Sequence, residues 1–249
     1  EVSFTDGRII VQGRMHTRGK GKRADYILYY KPDMPIAIIE AKDNKKSVGS
    51  GMQQALEYSE ILQVPFVFTS NGDSFVFHDK TGLGNAVEEE ISLDDFPSPK
   101  QLWERYLKFK GIEDPYAKEI VEQEYYFDFG GKTARYYQQN AVNRTVEAIA
   151  KGQDRILLVM ATGTGKTFTA FNIVWRLWKA QAKKRVLFLA DRNALLTQTK
   201  NGDFSPFGND IMHIIKHRKI DKSYQVYFAL YQGLTGQEEW QNAYKEFSS

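Results

Sequence analysis

The chain has 249 residues, 42% hydrophobic and 26% charged, with 34 basic against 31 acidic side chains and a net charge of +3. That is the length of about two domains and the composition of a packed globular protein, so wholesale disorder is excluded and the total charge names no partner. With no cysteine there is no disulfide framework and no thiolate metal site; with no apolar stretch near the roughly 20 residues of a membrane span and no signal peptide, the expected setting is cytoplasmic.

The chain begins at Glu1 rather than Met and is read as a piece of a longer polypeptide. Residues 8–15 alternate as a strand, with Ile9 and Val11 on one face. Arg14, Arg18, Lys20, Lys22 and Arg23 form a basic stretch around a Gly/Lys-rich turn, most simply a solvated face. A second strand covers 24–30, a Pro-bounded turn 31–35, and a third strand 36–41, apolar until its end. A helix is expected over 50–63, then strands at 66–69 and 74–78 joined by Asn71-Gly72-Asp73, a hairpin signal. Short strands with one helix inserted make residues 1–97 an α+β or α/β domain. Residues 85–128 lean acidic, with Glu88, Glu89 and Glu90 in a row, again read as solvated. Pro97-Ser98-Pro99 punctuates the chain, with Ser98 placed to cap a helix over 100–110. Residues 111–132 lack clean periodicity, so 98–132 reads as a helical connector.

A new pattern starts near Arg135: a helix over 137–151, a strand at 155–160, a glycine-rich turn and a helix over 168–182. A strand at 185–190, a short helix at 193–200 and a strand at 224–230 follow. Strands alternating with helices argue for a doubly wound parallel sheet in residues 133–249.

The glycine-rich turn is Ala161-Thr162-Gly163-Thr164-Gly165-Lys166-Thr167. A strand, such a turn and a helix cradle nucleotide phosphates, because backbone N–H groups of the turn and the helix N-terminus point at the anion. Lys166 would reach the β/γ-phosphates and the Thr167 hydroxyl would hold Mg²⁺. The general pattern has a glycine where this chain has Met160; Gly163 and Gly165 supply the backbone freedom.

A second constellation is Asp25 with Glu40-Ala41-Lys42. Strand side chains alternate, so Glu40 and Lys42 share a face, and Asp25 lies beside them if the two strands pair. Two carboxylates with a backbone carbonyl between them suit a hard cation, which activates water and stabilises charge on a phosphodiester. Lys42 would position water or offset developing negative charge. Glu40 closes the apolar run Ile36 to Ile39, where a carboxylate is costly without a partner. On the following helix Gln54 and Tyr58 stand at i and i+4, on one face.

Asp25, Glu40-Ala41-Lys42 and the Gln54 to Tyr58 element resemble the PD-(D/E)xK nuclease core with its Gln-x-x-x-Tyr accessory, typical of nucleases fused to DNA-translocating motors. With the phosphate loop downstream, the chain resembles the restriction (motor and endonuclease) subunit of type I restriction-modification enzymes, in which nuclease, connector and motor come in this order. The resemblance implies an α/β architecture: a PD-(D/E)xK nuclease-like domain, then the first part of a RecA-like (superfamily 2 helicase) parallel-sheet lobe. It further implies Mg²⁺-dependent cleavage of double-stranded DNA coupled to ATP-driven translocation, in complex with methylation and specificity subunits. Asp25 and Glu40 would then bind Mg²⁺, Lys42 would assist catalysis, and Gln54 and Tyr58 would support it. Two departures are that no Pro stands next to Asp25 and that the domain's usual first helix is missing or lies before Glu1.

In the motor half, Arg135-Tyr136-Tyr137-Gln138 resembles the adenine-reading Gln element of superfamily 2 helicases. A Gln amide donates to and accepts from the adenine edge at once, and Tyr136 or Tyr137 would stack on the base. Residues 186–196 resemble the next motor motif, placing Arg192, with Asp191, near a DNA track; Tyr231-Gln232-Gly233 resembles the following DNA-contacting element. Hydrolysis by this fold needs an acidic pair ending a later apolar strand. None follows Lys166, since Glu238-Glu239 come after Thr235-Gly236-Gln237, and the second lobe is absent. The 249 residues are therefore expected to bind ATP weakly or not at all and not to hydrolyse it. Rival readings are a helicase-like repair or type III restriction protein, which usually place the nuclease after the motor, and a non-cleaving DNA-binding platform. A plain kinase or transporter ATPase leaves residues 1–95 unexplained.

Overall fold

A computed structural model describes residues 2–4, 8–11, 14–17, 22–127, 133–216 and 220–234, with side chains from residue 23 onward. Arg18 and Lys20 of the basic stretch, and Glu238 and Glu239, lie outside the described residues. The chain forms two compact units, Glu1–Lys118 with Asp128–Gly152, and Glu119–Phe127 with Gln153–Ser249. No described helix is long and apolar enough to cross a membrane.

In the first unit, β1 (Val2–Phe4), β2 (Arg8–Val11), β3 (Arg14–Thr17) and β4 (Lys22–Ala24) make two antiparallel ribbons, β1 with β4 and β2 with β3. The alternation over 8–15 is thus divided between two antiparallel strands rather than held by one. The main sheet is five-stranded, in the order β5 (Tyr26–Lys31), β6 (Met34–Ala41), β7 (Phe66–Ser70), β8 (Phe75–Asp79), β9 (Glu88–Ile91). β6 and β7 are parallel, and α1 (Met52–Leu62) makes the crossover between them; the other pairs are antiparallel. α1 lays Ala55, Tyr58 and Leu62 against Ala24, Ile38, Val64 and Val67. Phe68 of β7 stacks on Phe77 at 4.5 Å and meets Phe96 at 4.6 Å, so the central strand is buried along its whole length. The hairpin at Asn71-Gly72-Asp73 forms as expected, with Gly72 at φ 97 and the Asn71 side chain accepting from Asp73 N at 3.1 Å.

Glu88 to Glu90 stand in β9, an exposed edge strand, where the sequence suggests only a solvated face. Ser74 Oγ donates to Glu90 at 2.6 Å, and charge along an edge discourages a further strand from adding. After it, Ser98 caps α2 (Pro99–Phe109) in a reciprocal box with Gln101. α2 packs on β5 and β6, with Trp103 stacked on Tyr30 at 4.3 Å. α3 (Pro115–Glu122) forms where no clean periodicity announces it, and α4 (Tyr136–Ala150) belongs by packing to the first unit.

The second unit holds α5 (Lys166–Lys179), β10 (Val186–Ala190), α6 (Asn193–Asn201), β11 (Met212–Ile214), β12 (Val226–Leu230) and α7 (Tyr231–Leu234). Its sheet runs β10–β12–β11 and is wholly parallel, as the alternation of strands and helices leads one to expect. Phe171, Leu196, Phe204, Phe207 and Phe228 form its core. The strand expected at 155–160 is not formed. The segment is unpaired among the described residues, with Leu157 85% and Val159 89% exposed. An apolar run carries the side chains of a strand, but the strand exists only when a neighbour completes its hydrogen bonds.

Candidate functional site

The antiparallel register of β5 and β6 pairs Tyr26 with Ile39, which sets Asp25 opposite Glu40. Asp25 Oδ2 accepts the Ala41 N–H at 2.9 Å, so its carboxylate is held against the end of β6. Glu40 is 2% exposed. Its Oε1 accepts from Lys42 Nζ at 2.5 Å, while its Oε2 is buried with no hydrogen-bond partner among the described residues. Lys42 N donates to Ser70 O at 2.8 Å, which carries the β6–β7 ladder past the end of β6 and keeps Lys42 on the face of Glu40. Asp25, Glu40 and Lys42 are therefore brought together.

Gly51, which the sequence does not single out, completes this corner. It precedes α1 at φ 97, and a Cβ there would lie 2.8 Å from Lys42 Cε and 3.0 Å from Glu40 Cγ. The helix N-terminus thus abuts the acid–lysine pair with no room for a side chain. The available signal is a glycine just before a helix where Ser, Thr, Asp or Asn is the usual cap.

Leaving a buried acceptor without a partner costs about 1–3 kcal/mol, and more for a charged one. Among the described residues no three or more His, Cys, Asp or Glu side chains converge to hold a metal. The candidate oxygen donors at this corner are the carboxylates of Asp25 and Glu40. They fit Mg²⁺, which keeps several waters and takes only one or two carboxylates. Gln54 and Tyr58 meet each other, the Gln54 amide donating to Tyr58 Oη at 2.9 Å. Tyr58 is buried in the core beneath α1 and Gln54 is exposed, so the pair braces the helix.

At the glycine-rich loop, Gly163 and Gly165 take φ 80 and φ 83, left-handed conformations that the turn requires, and α5 begins at Lys166. Thr164 Oγ1 donates to Ala161 O at 2.6 Å and closes the turn. The Lys166 ammonium rests on Met160 O at 3.4 Å and Ala161 O at 3.3 Å, long contacts that an anion would readily displace. Ala161, Thr162, Gly163 and Lys166 are exposed, while Thr167 is partly buried in the first turn of α5. Loop and helix N-terminus present the donors that a phosphate needs.

Arg135 and Gln138 lie in the first unit, at the start of α4. Gln138 is buried, and its Oε1 accepts the Arg135 N–H at 2.9 Å, so the amide caps its own helix. Arg135 Nη1 donates to Tyr137 Oη at 3.0 Å, and the Tyr136 and Tyr137 rings meet edge to face. In the second unit, Ala190 of β10 and Leu230 of β12 are Cα partners, so Asp191-Arg192 and Tyr231-Gln232 leave the sheet at the same end. Arg192 and Gln232 are both exposed there, with Arg192 beside Asp191 at 3.6 Å. This carboxyl end of a parallel sheet is where open α/β folds bind ligands.

A mixed sheet with a buried acid–lysine pair, joined in one chain to a parallel sheet and a glycine-rich loop at the start of α5, defines a two-part α/β protein. The family described as "Type I restriction enzyme R protein N terminus" matches residues 1–97, and the one described as "Type III restriction enzyme, res subunit" matches residues 131–249. The chain is 53% identical, over 247 residues, to the type I restriction enzyme EcoAI endonuclease subunit of Escherichia coli; the match covers 99% of this chain and 30% of that protein. It is 29% identical over 216 residues to the EcoKI endonuclease subunit of Escherichia coli (strain K12), covering 69% of this chain and 18% of that protein. A solved fragment, described as belonging to an HsdR subunit of a type I restriction enzyme from Vibrio vulnificus YJ016, superposes with a TM-score of 0.76 at 38% identity; it covers 98% of this chain and 43% of that one. The chain belongs to the family of type I restriction enzyme endonuclease subunits, and it spans less than a third of the length of these two curated relatives.

Proposed function

We propose that this chain supplies the nuclease and the opening part of the motor of a type I restriction subunit. The proposed activity is Mg²⁺-dependent cleavage of double-stranded DNA, coupled in the whole protein to ATP-driven translocation. The observation that carries the reading is Glu40: a buried carboxylate opposite Asp25, with one oxygen on Lys42 and the other without a protein partner.

Asp25 and Glu40 would hold Mg²⁺, which when bound supplies positive charge to a scissile phosphate and eases loss of a proton from water. Lys42 keeps its ammonium beside Glu40 at the mouth of this corner and offsets negative charge gathering on the attacked phosphate. Gln54 and Tyr58 hold α1, and through Gly51 the helix fixes where Glu40 and Lys42 stand. Thr162 to Gly165 and Lys166 would take the phosphates of a nucleotide and Thr167 its Mg²⁺; Arg135 and Gln138, in the first unit, are proposed as adenine readers. Arg192 and Gln232 face the DNA track. The working division is nuclease over 1–97, helical connector over 98–132 and partial motor lobe from 133 onward. The partners are double-stranded DNA and the methylation and specificity subunits.

The test is a crossed pair of variants in the full-length subunit, assembled with its partner subunits. Asp25→Ala and Glu40→Ala abolish cleavage and leave ATP turnover intact; Lys166→Ala abolishes ATP turnover. Persistent cleavage by Glu40→Ala refutes the site. Calorimetry with Mg²⁺ separates a nuclease from a non-cleaving platform, since a platform takes up no ion at Asp25 and Glu40.

A further inference from the structure

Helix α1 is held at both ends. At its N-terminus Gly51 lies against Glu40 and Lys42. At its C-terminus the last carbonyls of a helix have no partner within it, and here side chains of α4 supply the partners. Asn140 Nδ2 donates to Ile61 O at 2.9 Å. Arg144 donates from Nη2 to Gln63 O at 3.1 Å and from Nε to Gln63 Oε1 at 2.8 Å. A guanidinium at a helix C-terminus also complements its partial negative charge.

The same face of α4 grips the turn between β5 and β6. Gln139 Nε2 donates to Asp33 Oδ1 at 2.8 Å, and Asn143 Nδ2 donates to Asp33 O at 3.0 Å. Asp33 sits at φ 62, a left-handed conformation that costs a non-glycine residue about 1 kcal/mol and persists where its surroundings enforce it. That turn joins the two strands whose far ends carry Asp25 and Glu40. Gln139, Asn140, Asn143 and Arg144 lie on α4 within two turns after Gln138, whose amide caps α4 by accepting from Arg135 N. An adenine that takes the Gln138 amide competes with this cap and shifts the first turn of α4, on which the gripping face begins.

We propose that α4 is a strut that carries nucleotide occupancy at Arg135 and Gln138 to the Glu40–Lys42 pair, through α1 and the β5–β6 turn. The inference rests on the nuclease and adenine-reading roles proposed above. The strut sets the position of the acid–lysine pair and takes no part in the chemistry.

Hydrogen exchange on the full-length subunit in its complex, with and without a non-hydrolysable ATP analogue, tests it. In the unmodified protein the analogue changes exchange in α4 and, by roughly 5-fold or more, in α1 and residues 40–42. In Arg144→Leu and in Asn140→Leu the response in α4 stays and the response in α1 and residues 40–42 is lost. Asn140→Leu is run alongside because Arg144 also pairs with Glu147 at 3.2 Å, and its loss alone could loosen α4. A response in α1 that survives both substitutions, or one missing from the unmodified protein while α4 responds, overturns the strut. No response in α4 itself indicts the adenine-reading role and the strut with it, whereas cleavage by Glu40→Ala indicts the nuclease reading alone.

Discussion

Gly51 and Glu40 show how little space the acid–lysine corner leaves. A methyl group at Gly51 would enter a gap of 2.8 Å to Lys42 Cε in a left-handed backbone conformation, so a side chain there is opposed by both crowding and strain. Gly51→Ala is expected to move Lys42 or the start of α1. It should lower cleavage at least roughly tenfold, equivalent to about 1.4 kcal/mol, and raise the Mg²⁺ concentration needed for half-maximal cleavage, with ATP turnover unchanged. A Mg²⁺ titration of cleavage checks this, and a curve superimposable on the unmodified protein's defeats it. The neighbouring acids are legible in the sequence because an alternating strand that ends on Glu-x-Lys displays its own face pattern. Gly51 is not, because what excludes its Cβ comes from side chains on another element. Gln138 lies between these cases: its type and place suggest an adenine reader, yet its amide is engaged in capping α4.

Elements whose signal lies within their own residues are plain in the sequence. Ser98 announces α2 as its cap, and the structure adds Gln101, which answers it in a reciprocal box. Ser98→Ala should therefore cost about 1 kcal/mol, seen as a lower denaturant midpoint with unchanged slope. Elements that depend on a neighbour are not plain. Three glutamates in a row carry no apolar face, yet β9 pairs with β8 because an edge strand needs only one partner and no burial. β11 is three residues long, too short for periodicity to show. The opposite failure is 155–160, whose continuous apolar run reads as a strand although no described strand lies alongside it. Central β7 is the case where pattern and pairing agree. Phe68 stacks on Phe77 and meets Phe96, and Phe68→Ala should cost about 3–5 kcal/mol.

At the scale of the whole molecule, the chain leaves the first unit at residue 119, enters the second, and returns to the first at 128. The link that keeps this excursion in the second unit is Arg176 of α5, buried to 1% exposure. Its Nε donates to Gln123 O at 2.7 Å, its Nη2 to Val121 O at 2.6 Å, and its guanidinium lies 4.9 Å from the centre of the Tyr125 ring. A buried cation held by carbonyls and an aromatic face is costly to remove, because the carbonyls are then left without donors. Arg176→Ala should therefore destabilise the second unit by about 3 kcal/mol and free residues 119–127 to proteolysis. Each unit has its own apolar core, around Ile38 and Val67 in one and Phe204 and Phe228 in the other. Arg176→Ala and Phe68→Ala should thus lower different calorimetric transitions. If both lower the same single transition by the same amount, the chain unfolds as one cooperative body and the division into units has no thermodynamic meaning. If they separate, the acid–lysine corner and the glycine-rich loop rest on independently stable supports.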